Sequence, residues 1–308
     1  MRTALLFAGQ GAQIIGMGRD LAEKIPAARK AFDDANRILG YDLTKICFEG
    51  PEAELTKTEH AQPGIYAASW ACLKVLEISN LDLEFAATAG LSLGEATALA
   101  AAGAMSFEEG LRLVRARGIY MQEACDATAG GMAAVIGLEE GKVAEVCKVS
   151  DIEVANLNCP GQIVVSGEKN KVAAATPKLE QAGARKVISL SVAGAYHSRL
   201  MTSAVPKLES ELAKIAFQAP KQIVVSNVTA EPVKSAEEIR SLLARQVVSP
   251  VRWEASMQWL LANGFTRFIE LGPGTALTGF MKRIDKAATV HNVADVASLD
   301  KTVEALSR

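Results

Sequence analysis

The five residues Gly90-Leu91-Ser92-Leu93-Gly94 constrain this chain more tightly than any other stretch of it. A short run of small residues at 84–89 precedes them and reads as a buried strand. Glu95-Ala96-Thr97-Ala98-Leu99 follows and reads as a helix. G-x-S-x-G alone is a weak pattern, but between a strand and a helix it describes a sharp turn that holds a serine hydroxyl outward. Glycines on both sides relieve crowding where the backbone is strained. The helix start supplies free amides and a positive dipole end beside the hydroxyl. Ser92 is thus a candidate nucleophile, and the amide of Leu93 a candidate oxyanion donor.

The surrounding pattern fits such a turn. A strand at 3–7 enters the loop Gly9-Gln10-Gly11-Ala12-Gln13, and helix-period patterns follow at 17–38, 62–77, 93–103 and 106–124. Strands alternating with helices predict a mostly parallel sheet covered on both faces. Past residue 128 the rhythm changes to strand 132–138, helix 141–148, strands 152–157 and 162–166, helix 168–182 and strand 186–191. That β-α-β-β-α-β order is the ferredoxin-like split motif. The expected organisation is α/β: a large domain of 1–127 and 198–308, with a small ferredoxin-like domain of 128–197 inserted.

A net charge of −2, with Lys and Arg scattered singly, argues against nucleic acid as a partner. Five cysteines, odd in number and without CxxC spacing, predict a reducing compartment, with neither a disulfide frame nor a zinc site. The N-terminal apolar stretch is too short for a signal peptide, and no run approaches the length of a membrane span. The expected location is the cytosol, or an organelle matrix after cleavage of a leader.

A serine nucleophile needs a base, and the chain has three histidines. His60 lies in a polar stretch before a helix, and a solvated role suits it. His291 lies near the C-terminus, at a possible strand end. His197, in Gly194-Ala195-Tyr196-His197-Ser198, sits where the small domain returns to the large one. A helix pattern starts directly after it, and a helix N-terminus would keep the imidazole neutral, as a general base requires. A structural histidine at a helix start is the competing reading.

Ser106 with Glu109 three residues later forms a capping box and sets a helix start. On that helix Leu113, Val114, Tyr120, Met121 and Ala124 fall within about 60° of Arg117, whereas Arg112 and Arg115 fall on the wet face. One arginine of three therefore projects into the apolar side, where a guanidinium is costly unless paired. It forms either a structural ion pair with a protein carboxylate or a two-pronged clamp for a substrate carboxylate. The helix pattern does not choose between them.

With these residues in place, the chain resembles the malonyl-CoA:acyl carrier protein transacylases of type II fatty acid synthesis over essentially its whole length. Seven motifs in family order carry the resemblance: Phe7-Ala8-Gly9-Gln10-Gly11-Ala12-Gln13, Gly90-Leu91-Ser92-Leu93-Gly94-Glu95, Arg117-Gly118-Ile119-Tyr120-Met121-Gln122, Asn156-Leu157-Asn158-Cys159-Pro160-Gly161-Gln162, Gly194-Ala195-Tyr196-His197-Ser198, Pro250-Val251-Arg252-Trp253 and Glu270-Leu271-Gly272-Pro273-Gly274.

The resemblance implies an α/β-hydrolase-like large domain, an active site in the cleft between the domains, and a Ser92–His197 dyad. The histidine would be oriented by the main-chain carbonyl of Ser249, where the family usually has Asn. Gln10 would give the second oxyanion amide, and Arg117 would hold the malonyl carboxylate. Gln62 would line the acyl pocket, with Asn156 and Asn158 near the pantetheine arm. Arg185 and Lys186 are candidates for contact with coenzyme A phosphates or an acidic carrier. Leu91, Ala96 and Tyr196 depart from the family's usual His, Tyr and Phe. The substrates implied are malonyl-CoA and an acyl carrier protein, used by a monomer with no metal or bound cofactor and no membrane partner. Two rivals remain: an α/β-hydrolase esterase or thioesterase, whose late histidine would be His291, and a non-catalytic carrier-docking protein.

Overall fold

A computed structural model describes residues 1–79 and 83–307. Among the described residues nine strands form two sheets: β1 (Arg2–Phe7), β2 (Ala87–Gly90), β3 (Gly130–Ile136), β4 (Glu153–Cys159), β5 (Gln162–Glu168), β6 (Lys186–Ser189), β7 (Ile223–Val225), β8 (Phe265–Leu271) and β9 (Thr289–Val293). The large sheet has the order β7-β2-β1-β8-β9, with every pairing parallel. Successive residues of β1 face opposite layers, Leu5 and Phe7 into one apolar cluster and Ala4 and Leu6 into the other. All four are fully buried, as a parallel sheet with helices on both faces requires.

The smaller sheet is antiparallel, in the order β4-β5-β3-β6, which is the ferredoxin-like arrangement. Its two-residue period sends Ala133, Val135, Ile163 and Val165 under its own two helices. Met132 and Val164 point the other way and line a cleft. The two units are lashed together by main-chain bonds. Leu157 N donates to Val251 O (2.9 Å) and Val251 N to Ala155 O (2.8 Å), while within the large unit Arg252 N donates to Asn227 O (2.9 Å).

Element boundaries differ from expectation at several local signals. The pattern at 17–38 is two helices, Arg19–Lys24 and Pro26–Leu39, because Pro26 starts the second one afresh. The pattern at 62–77 begins earlier, at Thr58, and runs through Pro63. The helix expected directly after His197 starts as a 3₁₀ segment, Arg199–Ala204, with Ser198 as its cap, and becomes α-helical at Val205–Leu212. The strand expected at 84–89 is Ala87–Gly90.

The capping box is present. Glu109 N donates to Ser106 Oγ (3.1 Å), and Ser106 N donates to Glu109 Oε2 (2.8 Å). It fixes the start of the helix Phe107–Asp126, which carries Arg117. Ser106→Ala should therefore lower global stability by about 1 kcal/mol. The urea midpoint should fall with an unchanged slope, and an unmoved midpoint would show that tertiary packing alone sets this helix start.

Candidate active site

β2 ends at Gly90, and the helix Gly94–Ala101 starts four residues later. Between them Ser92 adopts φ 53°, the left-handed region that a non-glycine residue rarely takes. The turn is that tight because a Cβ on Gly94 would stand 2.3 Å from Phe7 O, and one on Gly90 would stand 1.9 Å from Gly94 O. Long-range side chains hold the strained serine. Ser92 N donates to Asn227 Oδ1 (2.6 Å), and Asn227 Nδ2 donates to Gly90 O (2.8 Å). Gln246 Nε2 donates to Ser92 O (3.0 Å).

Ser92 Oγ lies 2.7 Å from His197 Nε2. The opposite ring nitrogen, Nδ1, lies 2.9 Å from Gln246 O. A carbonyl can only accept, so Nδ1 carries the proton and Nε2 is free to take one from the serine. Gln246 supplies the carbonyl at hydrogen-bond distance, and the expected carbonyl of Ser249 acts on the ring alongside it. Gln246 ends the helix Ala236–Gln246, and the last-turn carbonyls of a helix lack intrahelical partners.

His197 is buried, which lowers its pKa to about 4. The Arg117 charge adds to the lowering, and the carbonyls of Gln246 and Ser249 oppose it. Burial and Arg117, rather than a helix N-terminus, keep this imidazole neutral. His60 instead meets Glu54 O at 3.0 Å, and His291 lies within β9. Neither lines the cleft.

Arg117 is buried and reaches the serine. Nη1 donates to Gln62 Oε1 (2.9 Å), while Nη2 donates to Ser92 Oγ (3.0 Å) and Gln246 Oε1 (3.0 Å). Among the described residues no carboxylate forms a salt bridge with it; Glu95 acts on it through its field at longer range. Burial lowers its pKa to about 10, so it stays charged at neutrality. Of its five N–H donors, three make these bonds. Gln62 backs the guanidinium, and neither residue lies on the wall of the large cleft. Gln62 Nε2 donates to Gln10 Oε1 (3.3 Å), and Gln10 Nε2 donates to Tyr196 Oη (3.3 Å).

Glu95, one turn beyond the serine, went unnoticed in the sequence, as did Asn227 and Gln246. Its carboxylate accepts from Gln246 Nε2 (2.6 Å) and Asn227 N (3.1 Å). Burial raises its pKa to about 7 against those bonds and the field of Arg117. The glutamate is visible in the elbow motif. Asn227 and Gln246 carry no local pattern of their own.

The cleft encloses about 860 Å³ and is lined by Gln10, Ser92, Met121, Asn156, Asn158 and His197, among others. The main-chain amides of Gln10 and Leu93 have no acceptor among the described residues. Asn158 Oδ1 is buried without a partner. Arg185 and Lys186 are exposed and do not line the cleft. The described residues hold no cluster of metal-ligating side chains, and all five cysteines are free. No helix among them is long and apolar enough to cross a membrane. Chemically, the arrangement can acylate a serine, hold a developing oxyanion and receive a carboxylate.

The His197 imidazole should stay neutral from pH 8 down to about 5.5, its NMR resonances shifting only as pH approaches 4. A midpoint at 6.5 or above would mean that the ring is solvated or ion-paired.

Residues 4–306 match the family model for the acyl transferase domain. A malonyl CoA-acyl carrier protein transacylase of Bacillus subtilis is 40% identical over 99% of this chain and 97% of its own length. Among solved structures, a malonyl-transacylase in complex with a type II PKS acyl-carrier protein superposes with a TM-score of 0.96. It is 38% identical, with 99% and 100% of the two chains covered. A malonyl CoA-acyl carrier protein transacylase of Clostridium perfringens gives a TM-score of 0.95 at 39% identity, with 100% and 98% covered.

Proposed function

The chain belongs to the acyl transferase family, and we propose that it moves a malonyl group from malonyl-CoA to the phosphopantetheine thiol of an acyl carrier protein, in fatty acid biosynthesis. The observation that carries this reading is the 2.7 Å Ser92–His197 contact on a strained elbow, with a guanidinium that forms no salt bridge among the described residues beneath it. His197 Nε2 takes the Ser92 proton as Oγ attacks the thioester carbonyl. The amides of Leu93 and Gln10 receive the oxyanion. The C–S bond then breaks, and the imidazolium returns its proton to the departing thiolate. The carrier's thiol repeats the sequence on the serine ester.

Arg117 holds the malonyl carboxylate with its remaining donors, Gln62 keeping the guanidinium in place. Asn158 Oδ1, buried without a partner, is an acceptor for an amide of the pantetheine arm, and Asn156 lies beside it. Arg185 and Lys186 stay as contacts for coenzyme A phosphates or carrier carboxylates. In this reading the large domain is 1–127 with 198–308, the insertion is 128–197, and the enzyme is a cytoplasmic monomer.

Mixing with malonyl-CoA should add one malonyl mass to the intact protein, and Ser92→Ala should add none. An adduct that persists in the alanine variant would sink the assignment. His197→Ala should slow acylation by roughly 10²–10⁴, while His291→Ala leaves it near wild type. The reverse pattern would favour the esterase.

Arg117→Ala should lower kcat/KM for malonyl-CoA by roughly 10²–10³ while acetyl-CoA, lacking the carboxylate, holds steady. Arg117→Lys should recover part of the loss, since an ammonium lacks the planar fork. Equal losses for both thioesters would make Arg117 structural.

A further inference from the structure

Glu95 lies one turn beyond the nucleophile, takes no part in the mechanism above, and is 1% exposed. A single amide joins it to Arg117. Gln246 Nε2 donates to Glu95 Oε2 at 2.6 Å, and Gln246 Oε1 accepts from Arg117 Nη2 at 3.0 Å. The amide dipole therefore lies between an anion and a cation with its oxygen toward the cation, the orientation that both charges favour. Ser92 O accepts from the same Nε2 at 3.0 Å and fixes the amide the same way round. The charges are coupled, each favouring the ionised form of the other.

We propose that Glu95 is a specificity-determining residue: a buried counter-charge, coupled to Arg117 through the Gln246 amide, that limits how tightly the site holds an acyl carboxylate. The inference rests on the reading of Arg117 as the carboxylate's partner. With Glu95 ionised, the empty site is internally balanced, one positive charge against one negative. A malonyl carboxylate then brings in a net negative charge, whereas an acetyl group leaves the balance as it is. Glu95 thus weakens the hold on malonyl selectively, opposing Arg117. Such a brake serves a transferase that must release the group it has captured, because uniform tight binding does not speed turnover.

The geometry provides a clean variant. Both hydrogen bonds from main-chain and side-chain N–H groups, Asn227 N at 3.1 Å and Gln246 Nε2 at 2.6 Å, end on the same oxygen, Oε2. Glu95→Gln can keep both by placing its carbonyl oxygen there, and the Ser226 hydroxyl, which also bonds the carboxylate, can turn to accept from the new amide, so the variant removes the charge with little loss of hydrogen bonding. At an effective dielectric near 20, one unit charge about 10 Å away is worth on the order of ten-fold in binding, and a nearer one more. The expected result is a malonyl-CoA KM several-fold lower in Glu95→Gln, with a malonyl-to-acetyl ratio of kcat/KM several-fold higher.

A purely structural Glu95 would lower both thioesters together and leave the ratio unmoved. That outcome, or a fall in the ratio, overturns the proposal provided that Arg117→Ala collapses the ratio. If Arg117→Ala leaves the ratio unchanged, the reading of Arg117 fails first and takes this inference with it.

Should Glu95→Gln fail to fold, the wild-type enzyme supplies the second measurement. The groups acting on Glu95 are Arg117, Ser226, Asn227 and Gln246; of these only Arg117 is charged, and it titrates outside the window at about 10, as does the general base His197 at about 4. A free substrate carboxylate titrates at about 4 or lower. The malonyl-to-acetyl ratio should therefore rise as pH falls from 8 to 6 and the Glu95 carboxylate takes up its proton. A flat ratio overturns the proposal.

Discussion

A guanidinium taken out of water must find oxygen atoms to replace its hydration, and in this protein much of the site is arranged around that demand. Arg117 is met by three neutral oxygens, from Gln62, Gln246 and the serine itself. Because none of them is anionic, the charge is satisfied without a direct ion pair, and its field reaches Glu95 and His197. It helps to depress His197 and counteracts the burial of Glu95. A carboxylate paired directly with Arg117 would have removed much of this field and left the imidazole easier to protonate.

Gln246 joins that charge to the covalent chemistry. Its side chain touches Arg117, Glu95 and the carbonyl of Ser92, while its main chain fixes the tautomer of His197. Asn227 works alongside it, holding Ser92 N and Gly90 O and so clamping both sides of the strained turn. His197 is itself at φ 57°. Both members of the dyad thus occupy backbone conformations that side-chain-bearing residues resist, and surrounding bonds sustain them.

What could be read in the sequence was local. The elbow, the capping box at Ser106 and the β-α-β-β-α-β order all rest on residues a few positions apart, and each is present. Arg117 was legible too, because a helical period places it among Leu113, Val114 and Met121, all of which are buried. Gln246 and Asn227 were not legible as partners of Ser92, since they lie 154 and 135 residues away and neither residue type has a signature. Ser249 was legible because a motif marks its neighbourhood, but the second carbonyl on His197, that of Gln246, was not, since it lies at the end of the helix Ala236–Gln246 with no motif of its own.

The main-chain bonds that join β4 to Val251, and Arg252 to Asn227, use no side-chain atoms. They are therefore indifferent to most substitutions, proline aside, at the positions they connect. The wall formed by Met132 and Val164 can drift in sequence while its spacing from the elbow stays fixed, like a vice whose jaw faces are exchanged on an unchanged screw. Variation in what the cleft accepts can then accumulate on the small sheet without realigning the reacting atoms.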